Sequence, residues 1–288
     1  MLPEHPIVKK KLADFEKNIF SQFGEDGVIE KIFEIIGTGS KVCIEFGAWD
    51  GFHLSNTANL WKNKGWKGVL IEGNKARFKE LLQNIKPYNC VGINNYVGRE
   101  EHNRLETLLK SANINDEIDL LSIDIDGDDY YIIESLHNLR PRVLIAEYNP
   151  TIPAHLDIYP NYKNYFGSSA AAISRMAESK GYKLVAMTLG SCFFVLEKYF
   201  GPFAGFETNL RNLKSDEYLI NLVTGFDGKY TIIGHSSYGF TTPYRGKLSG
   251  EIKNFHTINI MSLIKNYLRF FLKQIRNELY SMLRISKK

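Results

Sequence analysis

The chain has 288 residues and a mass of 33.0 kDa, enough for one large domain with a generous core or one domain with an appendage. Its hydrophobic fraction of 44% excludes a disordered composition. The net charge of +4 is uneven: residues 253–288 carry eight Lys/Arg against one Glu, which leaves residues 1–252 mildly acidic and excludes the body as a nucleic-acid platform.

Three cysteines, Cys43, Cys90 and Cys192, lie far apart in predicted strands or at their edges. They read as buried free thiols, and no Cys/His spacing resembles a zinc site. The N-terminal segment MLPEHPIVKKKLADFEK has no apolar core of the kind a signal peptide needs. No apolar run reaches the roughly 18 residues that a bilayer span requires. Together these features point to a reducing, cytoplasmic setting.

After a helical lead-in over residues 1–38, which includes a helix in GVIEKIFEIIG, strands and helices alternate. KVCIEFG is a short apolar run, and HLSNTANLWKNK has helical character. WKGVLIEGN reads as a strand and KARFKELLQNI as a helix. CVGINNYVG is a strand, and RLETLLKSA is helical. IDLLSIDIDG is a strand, DYYIIESLHNL a helix and PRVLIAEYNP a strand. The helix in SSAAAISRMAESKG precedes the strands YKLVAMT and CFFVLEKYF. Such alternation predicts an α/β fold with a mostly parallel sheet covered by helices on both faces. Only LGS separates the last two strands. A parallel crossover needs a dozen or more residues, so this pair must be an antiparallel hairpin. The predicted domain spans 1–205, followed by a C-terminal extension, 206–288.

Ligands of open α/β sheets bind at the carboxyl ends of the strands. The first strand ends in Glu45-Phe46-Gly47-Ala48-Trp49-Asp50-Gly51, where Gly47 and Gly51 permit a sharp turn and close approach of a ligand. A dinucleotide site needs a middle glycine for its pyrophosphate, and here Trp49 stands in the middle. Glu45, Asp50, Glu72 and Asp124 all lie at strand ends or in the turns after them. They repel a diphosphate and favour a cationic ligand, such as S-adenosylmethionine, which carries a sulfonium and an ammonium and no phosphate. Glu72 is placed to accept hydrogen bonds from ribose hydroxyls. Asn94, Asn95 and Tyr96 stand at the height expected for adenine contacts.

The fourth strand runs into Asp124, Asp126, Asp128 and Asp129. Two readings remain open. In one, Asp124 contacts the cofactor's amino group or the acceptor, and the others cap the next helix. In the other, Asp124, Asp126 and Glu147 or Asn149 hold a divalent cation, Mg or Mn. The metal-free reading is preferred. The long loop from Asn149 to Phe166, with His155, Tyr159 and Tyr165, is a candidate lid or acceptor-binding loop. His53 and His155 are candidate general bases, with His53 the better placed.

SQFGEDG, EFGAWDG, VLIEGN, IDLLSIDIDGDDYYIIESL, PRVLIAEYNP and YFGSSAAA, in that order and spacing, resemble the FkbM-type branch of the class I S-adenosylmethionine-dependent methyltransferases over about residues 20–200. The resemblance implies a Rossmann-like seven-stranded sheet with its last strand antiparallel. It implies that Glu45, Gly47, Ala48 and Gly51 form the cofactor loop, that Glu72 holds the ribose and that Asp124 lines the reaction side. It suggests that Gln22 and Asp26 face the methionine end of the cofactor or the acceptor. It also implies O-methylation, often of sugar hydroxyls on glycans or small molecules. The chain departs from the pattern at Trp49, where many relatives have a small residue, and at Asp126, where they have a glutamate. The rival readings are an NAD(P)-dependent oxidoreductase and a catalytically silent binding scaffold.

The tail repeats Ile260, Ile264, Leu268, Phe271, Ile275, Leu279 and Met282 at helical spacing, with Lys265, Arg269, Lys273 and Arg276 largely elsewhere. This basic amphipathic helix is expected to pack on its own domain, form a homodimer, or attach peripherally to the inner face of an anionic membrane.

Overall fold

A computed structural model describes residues 9–125, 127–161, 166–234 and 248–251. The chain divides into two compact units, Met1–Asp216 and Glu217–Lys288.

In the first unit, seven strands form one sheet: β1 (Val42–Phe46), β2 (Lys67–Ile71), β3 (Cys90–Ile93), β4 (Leu120–Ile123), β5 (Val143–Glu147), β6 (Tyr182–Met187) and β7 (Ser191–Leu196). Their spatial order is β3-β2-β1-β4-β5-β7-β6. The pairings among β1 to β5 are parallel, and β7 runs antiparallel to both β5 and β6. This is the expected Rossmann-like sheet. The order reverses between β1 and β4, the position at which such sheets open a crevice at their carboxyl edge.

Helices cover both faces. Alternation along β1 sends Val42, Ile44 and Phe46 into a core shared with α4 (Leu105–Ser111), α5 (Asp129–Ser135) and α6 (Ala170–Ser179). Cys43 enters the other core, with Val28 and Ile32 of α1 (Glu25–Ile36), Trp61 of α2 (Ala58–Asn63) and Leu81 of α3 (Lys75–Ile85). Glu45 has the same parity as Cys43, so a carboxylate is carried toward the α1–α3 face.

Several elements differ from expectation. α2 begins only at Ala58 because Ser55, Asn56 and Thr57 are drawn to Glu45 instead of forming a helical turn. α5 stops at Ser135, since the amides of His137, Asn138 and Leu139 converge on Glu106 Oε1 at 2.7–2.8 Å. β7 gives way to a 3-10 turn at Glu197–Tyr199. Cys43 and Cys192 are buried free thiols, whereas Cys90 is only half-buried. It lies on β3, the outermost strand on that side. Burial raises the thiol pKa values of all three, that of Cys90 to about 11.

Residues beyond β7 are stitched to this unit. Phe206 bridges Lys10, and Lys11 Nζ donates to Asn212 O at 2.6 Å. Lys214, next to the short helix α7 (Leu210–Leu213), buries its ammonium, which donates to Pro150 O at 3.0 Å. Burial lowers the pKa of Lys214.

The second unit contains β8 (Ile220–Thr224), β9 (Lys229–Gly234) and β10 (Leu248–Glu251), a three-stranded antiparallel sheet in the order β10-β9-β8. The amphipathic repeat from Ile260 to Met282 lies outside the described residues. No helix among the described residues is long and apolar enough to cross a membrane.

Candidate functional site

The site is built from the turns that leave the carboxyl ends of adjacent parallel strands. After β1, Gly47 takes φ +72°, a region open to glycine, and a Cβ there would stand 2.5 Å from the carbonyl oxygen of Asp124. Gly47 thus lets the β1 turn rest on the backbone at the end of β4. Gly47 and Asp124 are both exposed. Ala48 is buried, and its amide donates to Ile71 O at 3.2 Å. Gly51 (φ +89°) lies beneath, where a Cβ would come within 2.9 Å of Leu81 Cδ1.

Glu72 is 5% exposed. Its Oε2 accepts from Trp49 N at 2.9 Å and its Oε1 from Asn74 N at 2.7 Å. The carboxylate therefore joins the turn after β1 to the turn after β2. Two charge-assisted bonds fix its orientation, and each oxygen keeps a second lone pair for a ligand. The neighbouring turn closes over it: Asn94 Nδ2 donates to Glu72 O at 2.7 Å, and the Tyr96 ring packs on Gly73, where a Cβ would lie 2.3 Å from it. Asn95, between them, is exposed.

Glu45 works inward. Its Oε1 accepts from Asn56 N at 2.8 Å, and its Oε2 accepts from Ser55 Oγ at 2.5 Å and Thr57 Oγ1 at 2.7 Å. Asn56 Nδ2 in turn donates to Ser122 Oγ on β4 at 3.1 Å. Burial raises the Glu45 pKa, and the donors from Ser55, Thr57 and Asn56 partly counter it. The carboxylate holds the segment from Gly47 to Thr57 in shape. The consecutive polar triplet Ser55-Asn56-Thr57 was the signal in the sequence for this function.

The aspartate run differs from the capping arrangement expected for it. Asp128, at the N-cap of α5, makes no side-chain cap bond and pairs with Arg99 at 2.9 Å. Asp129 is buried; it accepts from the amides of Ile125 at 3.2 Å and Gly127 at 3.0 Å, folding the loop back from the helix start. Asp126 lies outside the described residues. Glu147 is half-buried opposite Ser191. Asn149 is committed to its own loop, with Oδ1 accepting from Thr151 N at 2.9 Å and Nδ2 donating to Phe166 O at 2.6 Å. Among the described residues, no group of three or more His, Cys, Asp or Glu could hold a metal ion.

The Ser21–Asp26 segment reaches the carboxyl edge through Glu25, whose Oε1 accepts from Thr188 in the β6–β7 turn at 2.7 Å. Asp26 Oδ2 accepts from the amides of Ile19, Phe20 and Ser21 at 2.8–2.9 Å and from Ser21 Oγ at 2.8 Å. Its Oδ1 is buried without a hydrogen-bond partner among the described residues. Gln22 is exposed.

His53 is exposed on the outside of the β1 turn. Its amide donates to Asp50 Oδ1 at 2.7 Å, and its ring lies 5.1 Å from that of Trp49. In the loop after β5, Tyr159 stacks on the buried Tyr130 at 4.2 Å, and Tyr131 Oη donates to Pro160 O at 2.8 Å. Asp157 forms a bidentate pair with Arg175, which lowers the carboxyl pKa. This part of the loop is fastened to α5 and α6. His155 is exposed on it, and Tyr165 lies outside the described residues. The structure therefore gathers Gly47, Ala48, Glu72 and Asp124 at adjacent strand ends, with Glu45 and Gly51 beneath. His53 stands at the outer rim of the turn, and Tyr159 is stacked on α5.

No family model matches the chain, and no curated protein matches it. Among solved structures, a SAM-dependent methyltransferase from Aquifex aeolicus is similar at a TM-score of 0.39, with 11% identity over 60% of this chain and 90% of that one. One from Clostridium acetobutylicum ATCC 824 gives a TM-score of 0.40, with 10% identity over 60% and 90%. TrmK of M. capricolum, in complex with S-adenosyl-homocysteine, gives 0.37, with 12% identity over 58% and 67%. Likeness at this level does not bear on activity.

Proposed function

We propose that the chain is an S-adenosylmethionine-dependent methyltransferase that methylates a hydroxyl, most favourably a sugar hydroxyl of a glycan or glycoconjugate. The observation that carries this reading is Glu72. Its carboxylate is oriented by the amides of Trp49 and Asn74 at the end of β2, beside the exposed Gly47 turn that rests on Asp124.

The residues fit such a cofactor. Glu72 offers two oriented acceptors to a ribose diol. Gly47 leaves bare main chain where a Cβ would fill the gap to Asp124. Trp49 fills the middle of the turn, where a pyrophosphate would need open backbone. Both Glu72 and Asp124 favour a cation over a phosphate.

When bound, S-adenosylmethionine supplies an electrophilic methyl group on a sulfonium. The carboxyl edge of the sheet aligns donor and acceptor, an effect worth several kcal/mol. An acceptor oxygen that takes this methyl group would lose its proton to a base on this chain. Asp124 faces this step from the end of β4, and His53 is the proposed base from the rim. The acceptor lies between the β1 turn and the loop after β5.

The test is to incubate the chain with methyl-labelled S-adenosylmethionine and a mixed glycan preparation. The expected result is label in carbohydrate as a base-stable ether, absent with Glu72→Ala. Label confined to other acceptors would overturn the sugar assignment. Cofactor binding without turnover on any acceptor would favour the silent scaffold.

A further inference from the structure

We infer that Arg77 is a positioning residue of the cofactor turn, which it holds by lying against the indole of Trp49. The inference rests on Glu72 being the ribose acceptor.

Trp49 takes φ +49°, a left-handed conformation that side-chain-bearing residues seldom adopt. Its amide donates to Glu72 Oε2 at 2.9 Å. Rotation of Trp49 to negative φ would swing the indole and the following residues relative to that amide, so a contact on the indole restrains the turn that presents the donor. The Arg77 guanidinium carbon lies 3.3 Å from the centre of the Trp49 ring system, a stacked cation–π contact. Arg77 is itself placed from the opposite side. Asn74 Oδ1 accepts from Ala76 N at 2.9 Å and Arg77 N at 3.2 Å, capping α3. Asn74 N donates to Glu72 Oε1 at 2.7 Å.

These contacts close a ring of four residues: Glu72 to Trp49, Trp49 to Arg77, Arg77 to Asn74, and Asn74 back to Glu72. Both oxygens of the carboxylate are oriented within it. A small residue in place of Trp49 would leave Arg77 nothing to stack on. A bulky residue at left-handed φ without Arg77 would lack the contact that restrains it. The ring thus couples the chain's departure at Trp49 to the cofactor carboxylate.

The full chain offers a direct optical readout. It contains three tryptophans; Trp61 and Trp66 are 2% and 3% exposed, whereas Trp49 is 40% exposed. Acrylamide quenching therefore reports chiefly on Trp49. Arg77→Ala is expected to increase quenching and to weaken S-adenosylhomocysteine binding by about three- to tenfold, with Arg77→Lys recovering part of both. In a Trp49→Ala background, Arg77→Ala should weaken binding no further, since the stack is already gone. Unchanged affinity in Arg77→Ala, or equal losses with and without Trp49, would overturn the inference while leaving the Glu72 assignment standing. Failure of the wild-type chain to bind S-adenosylhomocysteine would remove the Glu72 assignment and this inference together.

Discussion

Thr188 Oγ1 donates to Glu25 Oε1 at 2.7 Å, joining the turn after β6 to the first turn of α1. Both side chains are buried. The bond brings the Ser21–Asp26 segment, distant in sequence, to the carboxyl edge of the sheet. Thr188→Val keeps the shape and removes the hydroxyl, leaving Glu25 Oε1 short of a donor and the Ser191 amide, which donates to Thr188 Oγ1 at 3.2 Å, short of an acceptor. The expected cost is about 1–3 kcal/mol, read as a lower midpoint in urea with unchanged slope, and Thr188→Ser should recover most of it. An unchanged midpoint in Thr188→Val would show that the bond does not hold this segment.

Gly47 gives the sharpest steric prediction. Gly47→Ala places a methyl group 2.5 Å from the Asp124 carbonyl and imposes a side chain at φ +72°. The expected loss is about 2–3 kcal/mol of stability, together with loss of S-adenosylhomocysteine binding. Full binding by a stably folded Gly47→Ala protein would show that the β1 turn does not approach the ligand.

Glu45 provides a pH signature. Its folded pKa is raised above the ordinary carboxyl value of 4.5, with burial the largest cause. A raised folded pKa means that the folded protein holds this proton more tightly than the unfolded chain does. The associated stability is complete below the unfolded pKa and is lost as pH rises through the folded value. Glu45→Gln cannot ionise, so its stability relative to wild type should improve as pH rises from below 4.5 toward neutrality. Chemical denaturation across that window measures the difference. A constant difference, or one that runs the other way, would contradict this assignment.

Chelation separates the two readings of the aspartate run. On the metal-free account, exhaustive removal of divalent cations leaves methyl transfer unchanged, and Asp124→Asn lowers turnover or cofactor affinity equally with and without added magnesium. Activity lost on chelation and restored by magnesium or manganese would assign a hard-cation role to these acids.

Much of the fold was legible because hydrophobic runs and connection lengths leave few choices. The three residues between YKLVAMT and CFFVLEKYF sufficed to make β6 and β7 an antiparallel hairpin. The second sheet was missed although Asp227-Gly228 stood as a turn signal between the apolar runs of β8 and β9, with Gly228 at φ +79°. At the site, Glu72 was visible as an acid at a strand end. The partners of Glu45 were not, because they depend on which face of β1 it takes and on where the chain returns. The capping expected of Asp128 and Asp129 is not what the structure shows, because side-chain charge alone does not say whether an acid caps the following helix or, like Asp129, folds back onto the preceding loop. The stack of Arg77 on Trp49 joins the start of α3 to the turn after β1, which only the sheet brings side by side.

Glu72 is proposed to receive the ribose of an adenosyl cofactor. Calorimetric titration of the full chain with S-adenosylhomocysteine, run beside NAD and beside the Glu72→Ala variant, tests it most directly. The expected result is that S-adenosylhomocysteine binds, that NAD does not, and that Glu72→Ala weakens binding by about tenfold or more through loss of charge-assisted hydrogen bonds. Equal S-adenosylhomocysteine affinity in the folded variant, or preferential binding of NAD by the wild-type chain, would contradict it.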